Sequence, residues 1–336
     1  MKNLIIPKYY SSRLDLLETQ IAIKFVKDTF QVELAKALDL QRVSAPLFVT
    51  PESGLNDGLN GYERPVSFDV SSLHKDVEIV QSLAKWKRNA LAKYHIEDNK
   101  GIYTDMNAIR RDEELDTIHS IYVDQWDWEK AITRKQRSKE YLENTVRNIY
   151  RVFKYTADKT KEKFPKLKGL YLPDDVVFIT STELEEKYPD LDGHGRENAF
   201  AREFKAIFVE QIGWPLKSGK PHDGRASDYD DWNLNGDLLI WDEVLGIALE
   251  ISSMGIRVDA KSMKAQMEFK NEKGKMNSPY HKAILNEALP LSIGGGIGQS
   301  RLCMLILEKA HIGEVQASVW SEDDLYLLKK NNIILL

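Results

Sequence analysis

The residues with the clearest chemical potential stand near the end of the chain, in the run 293–301, IGGGIGQSR. Its four glycines leave the backbone open to close approach by a flat ligand. Arg301 places a guanidinium beside them, which suits a phosphate group or an adenine ring. The run therefore favours a nucleotide site, although a glycine-rich turn that only joins a strand to a helix would look the same on its own.

Two common nucleotide-binding patterns do not fit this run. The dinucleotide-binding fingerprint needs a glycine where Gln299 stands, and too little chain follows for a βαβ unit. The phosphate loop of P-loop enzymes ends in Gly-Lys-Ser/Thr, which occurs nowhere in the chain. Neither a Rossmann nor a P-loop fold is therefore expected.

A second candidate group lies in the run 121–129, IYVDQWDWE. Strand alternation would put Tyr122, Asp124, Trp126 and Trp128 on one face, and Val123, Gln125, Asp127 and Glu129 on the other. Gln125 and Asp127 would then reach one ligand together. A solvated strand face is the plainer interpretation, but two tryptophans on one strand argue against it.

Two carboxylates form the third group. The runs 234–241 and 248–259 predict a hairpin across which Asp237 and Glu250 face each other. Close carboxylates repel, so that one takes up a proton unless a cation lies between them. Their oxygens, completed by phosphate and water, suit Mg²⁺. The seven histidines show no metal-ligand spacing.

Hydrophobic periodicity predicts the elements that would position these side chains. A long amphipathic helix spans about 12–38, and a strand with Pro46 follows at 40–49. Further helices are predicted at 78–94, 128–162, 196–210, 259–271, 278–287 and 300–310. Short strands are predicted at 66–70, 101–104, 121–126, 176–179, 238–241 and 246–251. Because strands and helices do not alternate regularly, the prediction is one α+β domain over 1–336, with an antiparallel-rich mixed β-sheet flanked by helices.

The bulk properties exclude several classes of protein. With 336 residues, 42% hydrophobic and 29% charged, the composition is that of an ordinary globular protein with a core. No apolar run is long enough for a membrane span and the start of the chain does not resemble a secretory signal, so we expect a cytoplasmic protein. A net charge of −5 argues against a broad nucleic-acid surface. The single cysteine, Cys303, excludes an internal disulfide and is interpreted as a buried apolar residue.

Taken in order, these segments resemble the class II aminoacyl-tRNA synthetases over nearly the whole chain. The first helix and the strand ending at Pro46 resemble motif 1, the run 110–113 with Gln125 and Asp127 resembles motif 2, and the run 294–301 resembles motif 3. A closer resemblance is to the ammonia-dependent asparagine synthetases, which are AMP-forming aspartate–ammonia ligases. It rests on the strings SLAKWKR (82–88), YVDQWDWE (122–129), DYDDW (228–232), SSMGIRVD (252–259) and GGGIGQSR (294–301).

The resemblance implies a two-step reaction with ATP, L-aspartate and ammonia as substrates and Mg²⁺ as cofactor. Aspartate would attack ATP to give β-aspartyl-adenylate and pyrophosphate, and ammonia would then displace AMP to give L-asparagine. Catalytic positions would be Asp57, Arg110, Gln125 and Arg301. Aspartate would be bound by Ser82, Lys87, Asp127, Ser253 and Arg257. The nucleotide would be bound by Ser120, Arg225, Asp230, Glu250, Gly294, Gly295, Gly296 and Arg301, and the metal by Asp237 and Glu250. In the superfamily motif 1 forms a dimer interface, so a homodimer is expected.

Several alternatives stay open at this point. Arg110 and Arg111 are adjacent, and either fits the motif 2 arginine. Lys87 alone would be an ordinary solvated helix residue, and Asp57 could be a turn aspartate that bonds its own backbone. The whole chain could also be a paralogue of aspartyl- or asparaginyl-tRNA synthetase, or a non-catalytic regulator that binds a nucleotide or an amino acid. The chain shows no room for an anticodon-binding barrel before the first helix, which argues against the paralogue.

Overall fold

The computed structural model describes residues 4–56, 58–59 and 63–336. Its strands are β1 (Leu40–Arg42), β2 (Phe48–Val49), β3 (Ser67–Val70), β4 (Lys75–Ile79), β5 (Gly101–Ile109), β6 (Tyr122–Ala131), β7 (Val177–Thr180), β8 (Ala206–Glu210), β9 (Asp230–Asp242), β10 (Ile247–Arg257) and β11 (Ser292–Gly298). Its α-helices are α1 (Leu16–Leu38), α2 (Ala84–Lys93), α3 (Lys139–Lys163), α4 (Ser181–Lys187), α5 (Gly193–Phe204), α6 (Ala260–Phe269), α7 (Pro279–Leu285), α8 (Gln299–Ile306) and α9 (Glu322–Lys330).

One eight-stranded sheet organises the fold, in the order β1-β5-β6-β11-β10-β9-β8-β7. The six central strands run antiparallel to one another, whereas the outer pairs β1–β5 and β7–β8 are parallel. A second, three-stranded sheet has the order β2-β4-β3. The predicted fold class, a mixed antiparallel-rich sheet flanked by helices, is therefore confirmed.

The largest apolar core lies on one face of the large sheet, beneath α1, α3 and α8. Helix α1 begins with a capping box formed by Asp15 and Glu18, which satisfies backbone N–H groups at its first turn. Its buried face includes Phe30, whose ring stacks on Trp126 of β6 at 4.6 Å between centroids. Trp128 belongs to the same core. The tryptophan face of β6 is therefore buried, as strand alternation predicts.

The opposite face of the sheet carries smaller apolar clusters that leave its centre to polar residues. Helices α4 and α5 pack on β8 and β9 at one side, and α2 packs on β5 at the other. Helices α6 and α7 form a third cluster with Val258, beyond the end of β10. The polar face of β6 and the central strands beside it lie between these clusters.

Three predicted helix boundaries were wrong by six residues or more. The helix predicted at 128–162 begins at Lys139, because residues 128–131 continue β6 in the centre of the sheet. The helix predicted at 196–210 ends at Phe204, where Lys205 takes a positive φ of 68°, and residues 206–210 form β8. The helix predicted at 78–94 begins at Ala84, because residues 78–79 belong to β4.

Candidate active site

The predicted site residues occupy neighbouring strands in shared rows. Across β6, β11, β10 and β9, Asp127 pairs with Gly296, Gly296 with Ser253, and Ser253 with Asp237. Directly paired residues point to the same face of a sheet. This row therefore holds the carboxylates of Asp127 and Asp237 on the polar face, with Gly296 and Ser253 between them.

A parallel row lies two residues further along. In it Glu129 pairs with Gly294, and Gly294 pairs with Gly255. The side chain of Arg257, two residues beyond Gly255, fills the space above these glycines: a Cβ at Gly294 would lie 2.6 Å from its Nη2 and would overlap the Glu129 carboxylate. The glycines of this row therefore make room for a buried ion pair.

The glycine run forms a paired strand, although its composition alone favours a backbone left open to a ligand. Residues 292–298 form β11, paired on both sides along its length. Neighbouring side chains on both faces of the strand occupy the space that a Cβ at these positions would need. A Cβ at Gly296 would overlap the amide of Gln125, and a Cβ at Gly295 would come within 2.6 Å of the Met254 Cβ on the opposite face. The strand thus forms the floor of the site, and Arg301 follows it in the first turn of α8.

A cavity of about 680 Å³ opens above this floor. Several predicted site residues line it: Arg110, Ser120, Gln125, Arg225, Glu250, Ser253, Gly296 and Arg301. Other predicted residues do not line it, namely Ser82, Lys87, Asp127, Asp230, Asp237, Arg257, Gly294 and Gly295. Among these, Lys87, Asp127, Asp230 and Arg257 form a buried cluster of charges beside the floor, here called the recess. Asp57 lies outside the described residues.

The recess is held together by ion pairs. Lys87 Nζ donates to the carboxylate of Asp127 and to the carbonyl oxygen of Gly295, 3.1 Å away. Arg257 donates from Nε and Nη2 to Glu129 at 2.8–3.0 Å, and from Nη1 to Asp230 at 2.5 Å. Burial lowers the pKa of Lys87, although Asp127 opposes that effect. Burial alone would raise the pKa of Glu129, but Arg257, together with Lys87 and a hydrogen bond from Ser292, holds that pKa below its usual range.

Asp237 and Glu250 are diagonal neighbours, not the direct partners that we predicted. Asp237 pairs with Ser253, whereas Glu250 pairs with Leu239, because β10 has an irregularity between Glu250 and Ser252. The irregularity shifts the alternation of the strand, so that Glu250 still lines the cavity. The prediction that the two side chains share a face was correct, and the predicted register was wrong.

The two carboxylates are suited to a cation. Burial raises the pKa of Asp237 to about 7, the negative charge of Glu250 adds to this, and Arg225 opposes it. Arg225 bonds Asp237 Oδ2, while the buried Oδ1 has no hydrogen-bond partner among the described residues. Within the part of the chain that the structure describes, no group of three or more His, Cys, Asp or Glu could hold a metal. Phosphate and water oxygens would therefore have to complete the coordination of Mg²⁺.

Arg110 and Arg301 both line the cavity. Arg110 lines it, whereas Arg111 is exposed and is not among the described lining residues, so the geometry favours Arg110 as the motif 2 arginine. The buried Nε of Arg110 has no hydrogen-bond partner among the described residues. Arg301 Nη1 donates to the Glu250 carbonyl oxygen at 3.2 Å and lies 3.7 Å from its carboxylate. Both guanidiniums are therefore placed to contact an anion in the cavity.

Sequence reasoning gave no role to two residues of this region. Glu129 lies on the predicted polar face of β6, and its alternation with Gln125 and Asp127 was the available signal. His194, near the start of α5, lines the cavity. A hydrogen bond from His194 to Glu197 raises the pKa of the imidazole to about 9. No spacing in the sequence connects His194 with the other site residues.

The comparison with protein families decides between the alternatives for the identity of the whole chain. The model of the aspartate-ammonia ligase family matches residues 17–332. This chain belongs to the aspartate-ammonia ligase family. Two proteins named aspartate–ammonia ligase illustrate the similarity within it. One, from Fusobacterium nucleatum subsp. nucleatum, is 60% identical over 327 residues, or 97% of this chain and 99% of the relative. The other, from Bacillus cytotoxicus, is 58% identical over 324 residues, or 96% and 99%.

Solved structures show how the ligase family is related to tRNA synthetases in fold. The asparaginyl-tRNA synthetase of Entamoeba histolytica, in complex with asparaginyl-adenylate, aligns with a TM-score of 0.64 at 14% identity, covering 91% of this chain and 68% of that one. The enzyme of Pyrococcus horikoshii with the same ligand gives 0.63 at 17% identity, covering 90% and 70%. The predicted class II synthetase-like architecture is confirmed. In the described part of the chain, no helix has the length and apolar character of a membrane span.

Proposed function

We propose that this chain is an AMP-forming ligase that converts L-aspartate and ammonia to L-asparagine at the expense of ATP. The reaction passes through β-aspartyl-adenylate, with pyrophosphate and then AMP as leaving groups. The observation that carries the proposal is the row Asp127-Gly296-Ser253-Asp237, which joins an amino-acid recess to a phosphate-binding cavity. The 60% identity to a named ligase over 97% of the chain supports it.

Aspartate binding uses donors that the protein leaves available. The Lys87 ammonium has three N–H groups and donates two of them to described residues, so that one remains for the substrate. Arg257 has five N–H groups and uses three of its nitrogens on Glu129 and Asp230, so that N–H groups remain on Nη1 and Nη2. These donors bind the α-carboxylate, while Asp127 and Gln125 accept from the α-ammonium. Ser82 and Ser253 complete the predicted contacts with aspartate. The β-carboxylate then points into the cavity.

Adenylation requires the β-carboxylate oxygen to attack the α-phosphorus of ATP in line with the leaving pyrophosphate. Arg110 and Arg301 stabilise the charge that shifts onto the phosphate oxygens. Ser120, Arg225, Glu250 and the backbone of Gly296 line the cavity and form the nucleotide contacts. The predicted nucleotide contacts of Asp230, Gly294 and Gly295 are not part of the proposal, because these residues do not line the cavity. Asp237 and Glu250 would hold Mg²⁺, which neutralises phosphate charge when it is bound. The chain thereby holds the β-carboxylate of aspartate next to the phosphates of ATP, although these anions repel each other.

Free ammonia is the nitrogen donor in this proposal. Transfer from glutamine needs a reactive thiolate, and burial raises the pKa of Cys303, the only thiol, to about 12. The ammonia nitrogen attacks the acyl carbon, the bond to the AMP oxygen breaks, and a proton is released. Asp57 accepts this proton and attracts ammonium to the site.

A homodimer and a cytoplasmic location complete the proposal. Helix α1 exposes Leu17, Ile21 and Val32, whose side chains are 71%, 52% and 46% exposed, on the face away from the core. Phe48 and Phe68 of the small sheet contact each other edge to face and are also partly exposed. A second copy of the chain would cover these apolar surfaces. ATP and aspartate are abundant in the cytoplasm, and the net charge of −5 does not favour a nucleic-acid partner.

The decisive experiment follows the products of the purified protein. ATP, aspartate, Mg²⁺ and ammonium should yield asparagine, AMP and pyrophosphate in equal amounts. Omitting aspartate should abolish pyrophosphate release, and replacing ammonium with glutamine should abolish asparagine formation. Formation of ADP and phosphate, or equal synthesis with glutamine, would refute the proposed reaction.

A further inference from the structure

We propose that Glu129 is a positioning and specificity residue that balances and holds the Arg257 guanidinium, so that the recess accepts a zwitterionic amino-acid head and rejects a dicarboxylate that has no ammonium group. The inference rests on the proposed function, because it assigns the recess to the α-amino and α-carboxylate groups of aspartate. Glu129 itself is fully buried and does not line the cavity.

The contacts of Glu129 fix the orientation of its carboxylate. Arg257 donates to both of its oxygens, and Ser292 Oγ donates to Oε1 at 2.6 Å. Its row neighbour is Gly294, where any side chain would overlap the Glu129 carboxylate. A side-on pair between Nε, Nη2 and a carboxylate fixes the plane of a guanidinium. The remaining N–H groups of Arg257 are therefore presented in one direction.

The charges of the recess balance without a ligand. Its cations are Lys87, Arg88 and Arg257, and its anions are Asp127, Glu129 and Asp230; all are 4% exposed or less. Arg88 is included because its guanidinium, bonded to the carbonyl oxygens of Val258 and Pro290, acts electrostatically on both Glu129 and Arg257. Arg225, which also acts on Asp230, is paired with Asp223 and Asp237 outside the recess. The three positive and three negative groups of the recess therefore leave it neutral.

A neutral recess discriminates between ligands by their charge. Aspartate brings one α-ammonium and one α-carboxylate into it, so that neutrality is kept. Succinate is aspartate with the ammonium group replaced by hydrogen, and it brings an uncompensated negative charge next to Asp127. Removing the Glu129 charge would leave an excess positive charge, which stabilises the carboxylate of succinate and repels the ammonium of aspartate.

The test compares the Kd values of aspartate and succinate by calorimetry, in the wild type and in Glu129→Gln. Glutamine keeps the volume of the side chain and can still accept from Ser292. We expect the ratio of the succinate Kd to the aspartate Kd to fall by about tenfold or more. Glu129→Asp keeps the charge and should restore most of the discrimination. Arg88→Gln removes a cation from the same recess and should raise the ratio, which also provides a test if Glu129→Gln does not fold.

A buried ion pair outside the site supplies the matched control. Glu185 and Arg196, on α4 and α5, are paired at 3.3 Å and are both largely buried. Glu185→Gln should reduce thermal stability without changing the ratio. A ratio unchanged by both Glu129→Gln and Arg88→Gln, or changed equally by Glu185→Gln, would overturn the inference. Because the readout is equilibrium binding, it is separate from turnover, and a wild type that binds aspartate but forms no asparagine would refute only the proposed function.

Discussion

Lys87 of α2 and Asp127 of β6 form an ion pair that is almost completely buried, with side chains 2% and 5% exposed. The same ammonium bonds the carbonyl oxygen of Gly295, so that one side chain connects a helix to two strands of the floor. The pair therefore has two roles, since it would stabilise the fold and also bind the substrate.

The first prediction follows from that pair. Lys87→Met keeps the length of the side chain but leaves Asp127 buried without its counter-ion. Loss of one partner of a buried pair should lower the free energy of unfolding by roughly 3–5 kcal/mol. Urea unfolding would measure this loss, and the KM for aspartate should rise more than the KM for ATP. Lys93→Met, at an exposed position of the same helix, should change neither; equal effects of the two substitutions would contradict this.

The second prediction concerns the floor of the site. Gly296→Ala would place a methyl group where the Gln125 amide lies, and so displace a side chain that contacts the cavity. We expect pyrophosphate release to fall by about tenfold or more, the scale of small misplacements at a reacting centre. Gly274→Ala, where a Cβ meets nothing within 4 Å, is the matched control and should keep full activity. Normal turnover of Gly296→Ala would show that Gln125 is not needed in its present position.

The third prediction is a pH dependence. The pKa of Asp237 is raised from 3.8 to about 7 in the folded protein, mainly by burial. The folded state thus binds this proton more tightly than the unfolded chain, so Asp237 makes stability fall as pH rises from about 4 through about 7, by at most roughly 1.4 kcal/mol per pH unit. Asp237→Asn should lack this slope. Urea unfolding at several pH values, without metal or nucleotide, would contradict the prediction if the two proteins had the same profile.

The fourth prediction separates the two half-reactions. Asp57→Asn keeps turn-forming capacity but removes the charge and the basicity. Exchange of pyrophosphate into ATP in the presence of aspartate should persist, whereas asparagine formation should fall by roughly 10²-fold or more, as expected for loss of a general base. Arg301→Ala should instead reduce both, because it acts on the phosphates. Equal losses in the two assays of Asp57→Asn would assign Asp57 to adenylation.

The fifth prediction concerns the proposed dimer. Ile21→Asp places a charge in the exposed apolar face of α1, where the side chain is 52% exposed and a monomer would tolerate it. Sedimentation at micromolar concentration should show a dimer for the wild type and a monomer for the variant. Tyr171→Asp, at a position 77% exposed outside α1, should remain dimeric. A wild-type monomer would exclude the interface.

Much of the site could be predicted because strand alternation leaves a clear signal. The polar and tryptophan faces of β6 were predicted from period two alone, and the β9–β10 hairpin from two adjacent runs. The glycine strand could not be predicted in that way. Glycine has no side chain to show which face is buried, and β11 is a strand because β6 and β10 pair with it on either side.

The wrong helix boundaries have a related cause. Residues 206–210 are uniformly buried and continue an apolar helical pattern, so that periodicity did not show the break at Lys205. Residues 128–131 are compatible with a helix by type, and tertiary pairing with β5 and β11 makes them part of a strand. Family resemblance, and not periodicity, identified Lys87 and Arg257, which lie in the recess and not on the cavity wall.

The irregularity in β10 also limits how the strand can vary in length. Before it, Glu250 faces the cavity; after it, Ser253 does, three residues further along the strand. In a regular strand of the same length, residues three apart point to opposite faces, and the Glu250 carboxylate would then lie toward the apolar layer that includes Leu249. A homologue can therefore keep both side chains on the cavity face either with the irregularity or with one residue fewer between them.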